Sequence, residues 1–122
     1  MRLGVTRSGC RGFGYLGPMT NESLIAEAGR RLATATDGAQ IIVFGSYARG
    51  EAGPESDLDL LVIEPEVSTP RAESARLRRE LRDLEVALDV IVVSSKQAEE
   101  WATVPGSMVS EALQNGRVLV EA

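Results

Sequence analysis

Five residues of this 122-residue chain carry groups that could do chemistry together: Gly45 and Ser46 in "VFGSYARG", Asp57 and Asp59 in "SDLDLLV", and Asp89 in "ALDVIVV". Asp57 and Asp59 stand two apart in what reads as a strand, so both carboxylates should share one face while Leu58 and Leu60 turn to the other. Two carboxylates so close repel each other. The pair persists if one is protonated or if a cation holds both ionised, and ligation by oxygen alone selects a hard ion such as Mg²⁺. Gly45 and Ser46 end the preceding strand and open a short helix, where free N–H groups suit a phosphate and glycine admits it close to the backbone. Gly45 and Gly50 have the spacing of a P-loop, but Glu51-Ala52 follow where that loop needs Lys and Ser or Thr, so the P-loop reading fails.

Asp89 is a single carboxylate in an otherwise apolar run, and a buried charge there needs a partner. If its strand lies beside that of Asp59, three carboxylates converge on one pair of ions, roughly 3.5–4 Å apart in two-metal sites. The plainer alternatives are a turn cap and polar strand edge for Asp57 and Asp59, and an ion pair with Arg49 for Asp89. Arg49 could itself contact phosphate or brace the carboxylates.

The rest of the composition narrows the chemistry. The chain has no histidine and one cysteine, Cys10, which removes a Ser-His triad, a Cys/His zinc site, a histidine base and an internal disulfide. A net charge of −5 gives no electrostatic basis for non-specific nucleic-acid binding. Hydrophobic residues at 43% and charged residues at 25% are ordinary for a globular domain. No apolar run is long enough to span a bilayer, and residues 1–18 lack the apolar centre of a signal peptide, so the expected compartment is the cytoplasm.

The elements that must position these residues can be read from periodicity. Residues 1–18 are Gly- and Arg-rich without pattern and are expected to be a disordered arm or non-native extension, with one domain over residues 19–122. The "GFGYLG" within them has dinucleotide-fingerprint spacing but neither the strand before nor the helix after that the fingerprint requires. From Asn21 to Ala35, Leu24, Ile25, Ala28, Leu32 and Ala35 recur at helical spacing. "QIIVFG" and "DLDLLVIEP" read as strands, the second stopped by Pro65. Thr69-Pro70 starts a helix as N-cap and first helical residue, with Leu77, Leu81, Leu84 and Leu88 following. Its arginines alternate with acids and read as a solvated face. "LDVIVVS" is a third strand, and Ser94 with Gln97 forms a capping box for a short helix carrying Trp101. After the Pro105-Gly106 break, residues 107–115 read as a helix with Met108, Ala112 and Leu113 on one side and Gly116 at its C-terminal cap. "RVLVE" is the last strand. Trp101 and Tyr47 suit either core or interface. This order is α/β (α+β): a small mixed sheet with helices packed on it.

Gly45-Ser46, ten residues, then Asp57-x-Asp59 and an apolar run resembles the signature of the polymerase-β-like nucleotidyltransferase superfamily. "GSYARG", "SDLDLLV" and the closing "EALQNGRVLVE" look like its minimal nucleotidyltransferase branch, small proteins often paired with a HEPN-domain toxin. The resemblance implies that Asp57, Asp59 and Asp89 bind two Mg²⁺ ions and that Gly45 and Ser46 hold the β- and γ-phosphates of ATP. Asp89, nearest the incoming hydroxyl in such sites, is the best general base. The implied activity is transfer of AMP to a hydroxyl, expected to be a tyrosine, of a partner HEPN toxin, which silences it. Two alternatives stand beside it: transfer to a small molecule such as an aminoglycoside, with the acceptor site at a homo-oligomer interface, and an antitoxin acting by contact alone. An AMP adduct on the partner, or tight binding without one, separates them.

Overall fold

The computed structural model describes residues 20–121. The expected arm, the domain start at Met19 and the "GFGYLG" motif lie outside the described residues. The first helix, α1, spans Asn21–Ala35, and the Thr20 hydroxyl caps it by accepting from the Ser23 N–H at 3.0 Å. Strand β1 (Gln40–Phe44), the four-residue helix α2 (Ser46–Arg49) and strand β2 (Leu58–Glu64) follow. Next come α3 (Pro70–Glu80), a 3₁₀ turn (Arg82–Leu84), β3 (Leu88–Ser94), α4 (Ser95–Ala102), α5 (Met108–Asn115) and β4 (Arg117–Val120).

The four strands form one mixed sheet in the order β3-β2-β1-β4. β1 is antiparallel to β2 and β4, whereas β2 and β3 are parallel, joined by the crossover through α3. Helices cover both faces, which is why β2 is nearly all apolar instead of alternating. On one face α1 and α3 bring Leu24, Ile25, Leu32, Leu77 and Leu81 onto Ile41, Val43, Leu58, Leu60 and Val62. On the other, α4 and α5 bring Ala98, Val109 and Ala112 onto Ile42, Phe44, Leu61, Ile63 and Val93. A buried Leu or Ile is worth roughly 1.5–3 kcal/mol, so the two layers fix the register of the central strands. Among the described residues, no helix is long and apolar enough to cross a membrane.

Several local expectations are corrected. Thr69 is the N-cap of α3 with Pro70 at its first position, as expected, though the cap works through the Thr69 carbonyl, which accepts from the Glu73 N–H at 3.0 Å, and not through its side chain. α3 ends at Glu80 with Leu81 as its C-cap; the following 3₁₀ turn is closed by Glu85 in a left-handed conformation (φ 57°), and Leu88 already belongs to β3. In α5 the inward side is Val109, Ser110 and Ala112, while Met108 and Leu113 are 50% and 38% exposed. The Ser107 N-cap sets α5 one position away from the phase that the apolar letters suggest. Tyr47 is core at 5% exposure, and Trp101 is surface at 48%. The capping box of Ser94 and Gln97 is present with both of its hydrogen bonds, and Gly116 caps α5 through its N–H to the Ala112 carbonyl.

Candidate functional site

Strand register assembles the site. Asp59 on β2 pairs with Phe44 on β1 and, across the parallel ladder, with Asp89 on β3. Because side chains alternate along a strand, Asp59 and Asp89 share the face of Leu61, Ile63 and Val93, the face covered farther along by α4 and α5. Both aspartates are half-buried. The conditional placement of the third strand beside the second therefore holds, but Asp89 is not the fully buried charge that its apolar neighbours suggest: it lies one residue from the start of β3, where the helical cover ends.

Asp57 is placed differently from expectation. β2 starts at Leu58, whose N–H donates to the Ala87 carbonyl at 2.8 Å, so Asp57 precedes the strand and is exposed. Its charge still reaches the pair. Partial burial, then the charges of Asp89 and Asp57, push the Asp59 carboxyl above the usual carboxylate range, with Arg49 acting in the opposite direction. Among the described residues no three carboxylates, histidines or cysteines already form a closed metal cage. The donors are nevertheless all hard oxygens at one end of the sheet, the ligand type that a hard divalent cation takes.

Gly45 supplies the turn against Asp59. It has φ 76° and ψ −153°, a conformation essentially reserved for glycine. A Cβ built there would overlap the Asp59 carboxylate oxygen Oδ2. Gly45 is also the N-cap of α2, with no side-chain cap bond, so the N–H groups of Ser46 and Tyr47 have no helical carbonyl behind them. The carbonyl of Gly45 closes the helix by accepting from Ala48 and Arg49 at 3.1 and 3.2 Å.

Arg49 points elsewhere. Its Nε donates to Glu51 Oε1 at 2.9 Å, which is the main reason its pKa is raised, and the charges of Glu111 and Asp59 act on it from farther off. An ion pair between Arg49 and Asp89 is not formed, so that structural explanation for Asp89 is withdrawn. The pairing with Glu51 leaves Arg49 exposed, with its charge acting on Asp59 from a distance.

The sequence reading missed a cavity of about 510 Å³ between the end of α4 and the start of α5, with Phe44, Pro105, Met108, Ser110, Glu111 and Gln114 in its wall. The available signal was the Pro105-Gly106 break directly before a helix whose first apolar residue, Met108, belongs to no core.

An aspartate pair in register across parallel strands, beside a side-chain-free turn, has the donor chemistry to take up cations and phosphate at one end of a sheet. Comparison with known proteins agrees with that class. Residues 24–119 match the nucleotidyltransferase domain, and the chain belongs to that family. Among solved structures, one described as the crystal structure of a toxin-antitoxin with AMP-PNP is similar in fold, with a TM-score of 0.54 and 21% sequence identity over 84% of this chain and 75% of that one. No curated protein matches significantly.

Proposed function

We propose that this domain transfers a nucleoside monophosphate, AMP from Mg·ATP, to a tyrosine hydroxyl of a partner protein, a HEPN-domain toxin that it thereby silences. The observation that carries the reading is the register of Asp59 with Asp89 on parallel strands, one residue pair from the Gly45 turn, in a chain of the nucleotidyltransferase family. The likeness in fold to a toxin-antitoxin structure with AMP-PNP supports the choice of partner and nucleotide.

Asp57, Asp59 and Asp89 would hold divalent ions, which nucleotidyltransferase domains generally use; we propose two Mg²⁺, supplying charge neutralisation at the triphosphate and activation of the acceptor hydroxyl. The chain's own groups do the rest. The uncapped N–H groups of Ser46 and Tyr47, with no Cβ at Gly45 to obstruct the approach, hold the β- and γ-phosphates. Asp89, on the outer strand of the trio, accepts the proton of the acceptor hydroxyl. The acceptor oxygen bonds to the α-phosphorus, the bond from that phosphorus to the bridging oxygen breaks, and pyrophosphate leaves with the electron pair. Arg49, held by Glu51, contributes long-range positive charge beside the phosphates. Its exposure means that this contribution is small and screened by salt.

Mass spectrometry of the partner protein after co-expression tests the reading. An AMP adduct on a tyrosine is expected, and it should vanish when Asp57 and Asp59 are both changed to Asn. Tight association without any adduct would refute transfer in favour of neutralisation by contact.

A further inference from the structure

The cavity between α4 and α5 has no part in holding metal or phosphate, yet three features tie it to that end of the molecule. Phe44, in its wall, is the register partner of Asp59. Glu111, also in the wall, is near enough to act on the charge of Arg49 at the far end of the helix that Gly45 opens. α5 packs on the same sheet face as the two in-register aspartates. Through Phe44 the cavity adjoins the strand that pairs with Asp59 and ends at the Gly45 turn. Its volume of about 510 Å³ falls in the range of small-molecule sites, roughly 300–1,000 Å³.

Its chemistry is divided. Met108, half exposed on the first turn of α5, together with Phe44 and Pro105 offers apolar surface. The exposed thioether of Met108 is well suited to contact with an aromatic ring. The polar side is made of acceptors. Gln114 Nε2 donates to the buried Ser110 hydroxyl at 3.1 Å, which leaves Gln114 Oε1 to accept from a ligand beside the Glu111 carboxylate. An apolar wall for a ring and an edge of acceptors for hydroxyl and amino donors describe a nucleoside.

We infer that this cavity receives the base and ribose of the nucleotide, with Met108 packing on the base and Gln114 accepting from a nucleoside donor. This deepens the nucleotidyl-transfer reading and rests on it. Met108 and Gln114 are specificity residues in this account, with no role in the chemical step.

The test compares two ligands in the presence of Mg²⁺, AMP-PNP and inorganic tripolyphosphate, by calorimetry on the wild type, Met108→Ala and Gln114→Ala. Both side chains are exposed, so neither substitution endangers the fold, and melting temperatures should confirm that. Loss of one hydrogen bond or one ring contact, on the order of 1 kcal/mol, predicts AMP-PNP affinity weakened by about 5-fold in each variant. Tripolyphosphate affinity should not change. Equal weakening for both ligands, or none for either, overturns the inference. So does unaltered AMP-PNP affinity with slower transfer to a protein acceptor, since the cavity would then belong to the acceptor. A wild type that binds neither ligand overturns the functional reading itself, a result distinct from the others.

Discussion

Gly45 and Gly50 bracket the same four-residue helix, and replacing each by alanine separates backbone strain from damage to the site. Gly50 has φ 74° and ψ 20°, the ordinary left-handed region, and a Cβ there would meet nothing within 4 Å. Gly50→Ala therefore costs only the left-handed penalty, about 1–2 kcal/mol, partly offset by a stiffer unfolded chain, about 0.4–1 kcal/mol. Gly45 has φ 76° but ψ −153°, where an L side chain is far less tolerated, at about 1–3 kcal/mol. Its new methyl group would also strike Asp59 Oδ2, with Asp59 Cγ 3.4 Å away. Asp59 is held by strand pairing on both sides, so the carboxylate must rotate away from its position.

The two variants should consequently differ more in function than in stability. Urea denaturation should show Gly50→Ala losing about 1 kcal/mol or less and Gly45→Ala about 1–3 kcal/mol. For a domain of this size 1 kcal/mol is a shift of roughly 4 °C in melting temperature. Transfer of AMP to the partner should be near wild type in Gly50→Ala. In Gly45→Ala it should fall by on the order of 10²-fold, the usual penalty for moving a reacting group by about 1 Å. Equal loss of transfer in both variants would mean that α2 matters only as a folded unit. Full transfer in Gly45→Ala would refute the claim that the bare backbone at this turn serves the site.

The remaining predictions concern charge. Asp89→Asn keeps the shape but removes the proton acceptor, so single-turnover transfer should fall by ~10²-fold or more while Mg·AMP-PNP affinity changes much less, and equal losses would reduce Asp89 to a nucleotide-metal ligand. Mg²⁺ should raise the melting temperature of the wild type, by about 2.7 kcal/mol of stability at 100 times its Kd, and leave Asp57→Asn with Asp59→Asn unmoved; an equal rise in both would place the ion elsewhere. In the absence of metal, Asp59→Asn should be more stable than wild type at neutral pH. The reason is that a carboxyl raised in the folded state stabilises below its unfolded pKa and loses that contribution as pH rises through the folded one. At the opposite end of β2, Glu64 is pushed up to about 7 by burial and by its neighbour Glu73, whose own carboxyl is held down at about 2 chiefly by Arg76. Glu64 Oε2 is buried without a hydrogen-bond partner, so the shared proton belongs on Glu64. Its stabilising contribution is lost as pH rises from about 4.5 through about 7, and Glu64→Gln should remove that slope and exceed wild-type stability at pH 8 in urea titrations; the same difference at pH 5 and pH 8 would contradict it.

What could be read from the letters and what could not follows from the range of the forces involved. α1, the β1 and β2 runs and the capping box of α4 depend on neighbours within a few residues, and periodicity finds them. Asp59 and Asp89 were legible as a pair because a short apolar run after a crossover helix has few places to go except beside the previous strand. Asp57 was misplaced by one residue, since strand ends are set by whichever carbonyl the neighbouring segment offers, here that of Ala87, 29 positions after the donor Leu58. The apolar side of α5 was misread for a related reason. An apolar letter at helical spacing signals a hydrophobic side chain, not which surface will cover it, and Met108 and Leu113 have the letters of a core without a place in it. Burial is a property of the whole sheet face, and at this end of the face the helices stop short of the carboxylates. Of the two residues that pattern alone assigns wrongly to the interior, Met108 stands in the wall of the cavity between α4 and α5 and Leu113 on the surface. The misreading at Met108 therefore marks the cavity, as the register of Asp59 with Asp89 marks the carboxylate end of the sheet.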